Sequence, residues 1–145
     1  MTKIEISKRF IQSWQAADWD SYMNLLSEDI ELEILGLDYL IKGKKNVIKV
    51  IESASGISFN QNTKINNLIM DDIFTIIELE STRSVSFLKS PFPEIWNDFN
   101  VSSSQNLFRT AIILEWHDEK CKKIKTIDTL VHPPDFVADE VIAKY

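Results

Sequence analysis

Leu25-Leu26-Ser27-Glu28-Asp29-Ile30-Glu31-Leu32-Glu33-Ile34 decides the fold, because the hydrophobic period changes inside it. Upstream, apolar residues recur every three or four positions. From Ile30 they recur every two, with Ile30, Leu32 and Ile34 alternating with Glu31 and Glu33. A period near 3.6 gathers side chains on one helix face, and a period of two gathers them on one face of a strand. The chain therefore passes here from helix to a half-buried strand that ends at Gly36.

Toward the N-terminus, Ile4, Phe10, Ile11, Trp14 and Ala17 form one helical stripe over residues 3–17, with Ile6 off it. Asp18 stops that pattern and can cap a second, short helix carrying Trp19, Tyr22, Met23, Leu25 and Leu26. Toward the C-terminus, Gly36-Leu37-Asp38-Tyr39 reads as a turn, followed by a short extended piece, Leu40-Ile41-Lys42, and Gly43. A third helix is expected from about Lys44 to Ala54, burying Val47, Ile48, Ile51 and Ala54 and ended by Gly56. Everything afterwards reads as strand: Thr63–Met70, Ile73–Leu88, Leu107–Trp116 and Ile124–His132. The last two flank the polar turn His117–Lys123 and form a hairpin. Lys89–Asn106 is an irregular stretch too apolar for a solvated linker, with Phe92, Ile95, Trp96 and Phe99, and is expected to fold over the body as a lid. Pro133–Tyr145 adds a final helical turn or two. Helices followed by antiparallel strands specify an α+β domain with the helices on one face of the sheet.

A chain of 145 residues fits one domain, residues 1–145, with a core large enough to need no staples. Its 44% apolar and 26% charged residues exclude bulk disorder, collagen and coiled coil. The net charge of −6 repels phosphate backbones, and the one basic cluster, Lys120, Lys122, Lys123 and Lys125, sits beside Asp118 and Glu119; nucleic acid is not the expected partner. No apolar run approaches the roughly 20 residues of a membrane helix. The single Cys121 and the absence of an export signal point to a reducing cytoplasm.

The segments Phe10–Asp20 (Phe-Ile-Gln-Ser-Trp-Gln-Ala-Ala-Asp-Trp-Asp), Leu25–Leu32, Ile41-Lys42-Gly43-Lys44 and the closing Lys123–Pro133 resemble, in order, the nuclear transport factor 2-like (NTF2-like) superfamily. That group includes SnoaL-like polyketide cyclases, ketosteroid isomerase and limonene epoxide hydrolase. The resemblance implies a cystatin-like α+β barrel: a cone-shaped, curved, mostly antiparallel sheet wrapped around N-terminal helices, enclosing a pocket and often dimerising sheet to sheet. It also implies where chemistry should lie. The isomerase base falls on Ile34, its oxyanion tyrosine on Phe10 and its second acid near Ile112, so that mechanism has lost its parts. The epoxide hydrolase aspartate falls on Thr129, and its arginine–aspartate pair on Glu78 and Glu80. The cyclases' acid–base aspartate and histidine correspond to Asp128 and His132. The gapless match turns these two away from the pocket and Ile127, Thr129 and Val131 toward it; a one-residue bulge reverses that assignment.

Glu78 and Glu80 share one strand face about 7 Å apart and would suit an acid–base pair if that face lines the pocket. In the alternative they are the solvent face of an amphipathic strand whose Thr75, Ile77 and Leu79 point inward. Thr129 and Thr110 are the expected hydrogen-bond partners. Arg83 and Arg109 suit either a substrate carboxylate or surface pairs. His117, Asp118, Glu119 and Cys121 lack the convergent partners of a zinc site, so no metal is expected. No glycine-rich phosphate loop occurs and no cofactor is expected. The aromatic excess, Phe10, Trp14, Trp19, Tyr22, Phe59, Trp96, Phe99 and Trp116, suggests a lined cavity walled also by Ile34 and Ile112. The expected function is binding of a small, largely apolar molecule, with acid–base isomerase, cyclase or dehydratase activity. The alternative is a non-catalytic carrier or protein-interaction module, favoured by the apolar residues at three formerly polar positions.

Overall fold

Thr2 caps the first helix in a reciprocal arrangement: its hydroxyl accepts from the Glu5 N–H at 3.3 Å, and the Glu5 carboxylate accepts from the Thr2 N–H at 2.7 Å. The computed structural model describes residues 1–35, 38–85 and 106–130. Helix α1 spans Lys3–Gln15 and buries Ile6, Ser7, Phe10, Ile11 and Ser13. The buried face is thus rotated from the apolar stripe: Ile4 is half exposed and Ile6 is in the core. The cause is polar. Ser7, fully buried, hydrogen-bonds Thr75 on the sheet at 2.9 Å, so its position on the inner face is paired rather than wasted.

Ala17 turns the chain with a left-handed φ of 53°, and Asp18 caps α2, Trp19–Asn24, by accepting from the Ser21 N–H. Strand β1 then runs Leu26–Ile34, with Leu26, Ile30 and Leu32 buried. Strand β2, Tyr39–Lys42, pairs antiparallel with it, and α3 follows over Lys44–Ile57. Helix α3 buries Val47, Ile48, Val50 and Ser53 and passes directly into β3, Ser58–Met70. Strand β4 is Phe74–Val85, β5 Asn106–His117 and β6 Lys120–Leu130. The polar hairpin turn contracts to Asp118-Glu119, where Asp118 takes a φ of 54° that a short polar side chain tolerates.

The six strands form one sheet in the order β2-β1-β6-β5-β4-β3. All neighbours are antiparallel except β1 and β6, which run parallel. Irregular register in β1, β3 and β6 bends these strands, as bulges do. The result is an α+β cone in which α1, α2 and α3 cover the inner face. Its core gathers Leu26, Ile30, Val47, Ile77, Leu79 and Leu114, each almost wholly removed from water. Among the described residues, no helix is long and apolar enough to cross a membrane.

Candidate functional site

The bulge in β6 decides what lines the cone. Glu115 pairs with Lys123 and Trp116 with Cys121, so β6 inserts Lys122 where β5 has no counterpart. Cys121 faces inward; strict alternation from it would send Ile127 and Thr129 inward as well. The extra residue shifts the phase, and Ile124, Thr126 and Asp128 face inward instead. On β5 the inward set is Phe108, Thr110, Ile112, Leu114 and Trp116, which fixes Thr110 opposite Asp128 and Ile112 opposite Thr126.

These residues bound a cavity of about 140 Å³ between the helices and the sheet. Phe10 and Trp14 of α1, Tyr22 of α2, and Val50 and Ile51 of α3 form one wall. The other is made by Leu32 and Ile34 of β1 and the adjoining Leu35, by Thr110 and Ile112 of β5, and by Ile124, Thr126 and Asp128 of β6. The Phe10 and Tyr22 rings lie 4.7 Å apart, inclined at 41°, and Trp19 packs edge-on against Tyr22 from behind at 6.0 Å. The Thr110 hydroxyl donates to Asp128 and orients its carboxylate. Burial pushes the Tyr22 phenol well above its ordinary pKa, with Cys121 a smaller influence in the same direction, so the hydroxyl keeps its proton. The lining is otherwise hydrocarbon.

The structure brings Phe10, Trp14, Tyr22, Ile34, Thr110 and Ile112 together around this cavity, as the sequence suggested. Trp116 lies deeper: it is buried, donates from Nε1 to the Thr75 hydroxyl at 3.0 Å and packs edge-on against Phe10. Glu78, Glu80 and Thr129 are corrections. Thr75, Ile77, Leu79 and Ser81 take the inward phase of β4, which leaves both glutamates on the outer face. There Glu78 accepts from the Asn67 amide at 2.7 Å, and Glu80 pairs with Arg109 at 3.2 Å. Thr129 is turned outward by the β6 bulge. The Phe59 side chain, the Arg83 side chain, Trp96 with the rest of residues 89–105, His132 and the C-terminal tail lie outside the described residues.

Two lesser suggestions are also resolved. Cys121 is buried and its thiol is pushed up to about 12, chiefly by desolvation, which removes it as a nucleophile. Exposed His117, with Nε2 3.8 Å from Asp118, does not converge with it. Among the described residues, no cluster of histidine, cysteine and carboxylate side chains could hold a metal ion. The residues that sequence reading missed are Thr126, Leu32, Leu35, Val50, Ile51, Ile124 and, as an inward group, Asp128. Counting alternation forward from Ile124 rather than from Cys121 would have found the last.

No protein-family model matches the sequence, and no curated protein is significantly similar to it. Solved structures do match. An NTF2-like protein from Cytophaga hutchinsonii superimposes with a TM-score of 0.64 at 15% identity, covering 86% of this chain and 97% of that one. This chain has the NTF2-like fold. A limonene-epoxide-hydrolase-like (LEH-like) enzyme from M. tuberculosis gives a TM-score of 0.63 at 15% identity, covering 87% and 81%. A ketosteroid isomerase-like protein from Catenulispora acidiphila, in complex with trimethylamine, gives 0.65 at 11% identity, covering 86% and 85%. These likenesses confirm the cone expected from the sequence and carry no residue of any active site across.

Proposed function

We propose that this NTF2-like protein binds a small, largely apolar molecule in the cavity between Trp14 and Ile112, with Asp128 and Thr110 as its polar anchor. The observation that carries the proposal is the composition of the lining: aromatic and aliphatic walls with one oriented carboxylate. A volume of about 140 Å³ suits one ring, since an apolar cavity of roughly 150 Å³ admits benzene. NTF2-like neighbours titled as an epoxide hydrolase and as a trimethylamine complex support a ligand-binding use of the cone.

Ligand present at about 100 times its Kd stabilises the native state by about 2.7 kcal/mol, or about 5–10 °C in Tm for a domain of this size. A thermal-shift screen of single-ring compounds is expected to find such a response in the wild type and in Glu78→Gln, whose substitution lies on the outer face. Val50→Phe, which grows a ring into the cavity, is expected to lose it. A screen without any response, or a response that survives Val50→Phe, would refute the site.

Acid–base chemistry is a second reading, favoured by the carboxylate of Asp128 beside the protonated phenol of Tyr22: a base, and a donor for developing negative charge. Exchange of solvent deuterium into a bound ketone, absent in Asp128→Asn, would distinguish an enzyme from a carrier. The same proposal pairs two copies through the outer sheet face, where Ile69, Phe74, Ile76 and Ile127 are exposed between charged rows, and it places the protein in a reducing cytoplasm. Sedimentation of wild type as a monomer would remove the pairing.

A further inference from the structure

We infer that the molecule taken by this cavity is a small organic cation, an ammonium whose apolar body fills the space and whose nitrogen meets Asp128. The inference rests on the ligand site proposed above and adds the charge of its occupant. Among the described lining residues, Asp128 is the one side chain that carries charge, and the lining contains no lysine, arginine or histidine. Cations on the neighbouring strands are engaged elsewhere: Arg109 faces outward to Glu80, and Lys123 pairs with Glu31 and Glu33.

Each class of ligand meets that lining differently. An anion would bring a second negative charge to the Asp128 carboxylate, a repulsion that strengthens as water leaves the cavity. A neutral hydrocarbon would strip water from the carboxylate and return nothing to it. An ammonium neutralises the carboxylate, and its C–H and N–H surface lies well on aromatic rings, whose faces are electron-rich. Phe10, Trp14 and Tyr22 supply three such rings. A carboxylate offers about four acceptor positions, so the Thr110 hydroxyl orients Asp128 without exhausting it. The net charge of −6 adds a long-range attraction for a cation. Volume limits the body to one ring or a short branched chain.

Three compounds of one shape separate these cases: cyclohexylamine, cyclohexanol and cyclohexanecarboxylate, titrated calorimetrically into the full chain at pH 7. The ammonium is expected to bind at least about tenfold more tightly than the alcohol, and the carboxylate not measurably. In Asp128→Asn, which keeps the shape of the side chain, the amine–alcohol ratio is expected to fall to within about twofold while the alcohol's own affinity holds. An alcohol that binds wild type as well as the amine overturns the cation and leaves the apolar site standing. An amine preference that survives Asp128→Asn also overturns the inference, because the charge is then read elsewhere. Failure of all three compounds to bind wild type overturns the cavity itself. The wild-type comparison needs no variant to fold.

Discussion

Thr75→Val isolates the polar link that holds the helical layer on the sheet and, through it, one wall of the cavity. Thr75 is fully buried; its hydroxyl accepts from the Trp116 indole at 3.0 Å and meets the Ser7 hydroxyl of α1 at 2.9 Å. Valine has the same shape, so the substitution opens no cavity and tests hydrogen bonding alone. It leaves an indole N–H and a serine hydroxyl in the core, each costing about 1–3 kcal/mol if nothing replaces its partner. The serine can turn to a carbonyl of its own helix, which brings its share near zero; the rigid indole cannot. The expected loss is therefore about 2–3 kcal/mol, a large part of the roughly 5–15 kcal/mol that stabilises a domain. Urea unfolding followed by tryptophan fluorescence should show the midpoint falling by about 1 M, given a slope of roughly 1–3 kcal/mol/M. Thr75→Ser, which keeps the oxygen, should cost less than Thr75→Val. The ligand affinity should also weaken, because Trp116 packs edge-on against Phe10 at 6.2 Å and Phe10 lines the cavity. A Thr75→Val protein within about 0.5 kcal/mol of wild type, on the order of a neutral surface change, would refute the reasoning.

Burial predicts that Cys121 resists iodoacetamide at pH 8 in the folded protein and reacts at the rate of a free thiol once denatured; equal rates would contradict its placement. Its folded pKa, about 12, lies above the ordinary value of 9.0, so the stability it contributes is complete below about pH 9 and is lost as pH rises from there toward 12. Acid acts on the opposite kind of group. The Thr2 backbone N–H lowers Glu5, the Ser21 hydroxyl lowers Asp18, and the Phe74 N–H lowers Asp71, from ordinary values of 4.5, 3.8 and 3.8. Their contribution is present above those values and is lost as pH falls through the lowered folded ones, so the urea midpoint should drop between about pH 5 and pH 2, and a flat profile would refute it.

The order of elements was legible because it rests on local grammar. Asp18 as a cap, the alternation Ile30-Leu32-Ile34 and the hairpin around Asp118 are each written within a few residues. Capping and pleating depend on neighbours along the chain. The face of α1 was misread where a polar residue took an inner place, since Ser7 is welcome in the core only because Thr75, 68 positions away, meets it. The outward direction of Glu78 and Glu80 was one of two readings open to the sequence. Both phases of β4 carry apolar residues, and only the packing of Ile77 and Leu79 against the helical layer selects between them.

By itself, then, the sequence determined an α+β chain with helices first, an aromatic-rich interior and no local site for metal or phosphate. What only the tertiary structure decided was which carboxylate reaches that interior. One inserted residue, Lys122, exchanges the faces of everything after it on β6, carrying Asp128 inward and Thr129 out. A bulge of this kind leaves little mark in the residues that form it, because it is specified by the pairing of β6 with β5 and by the burial of Ile124, both long-range terms.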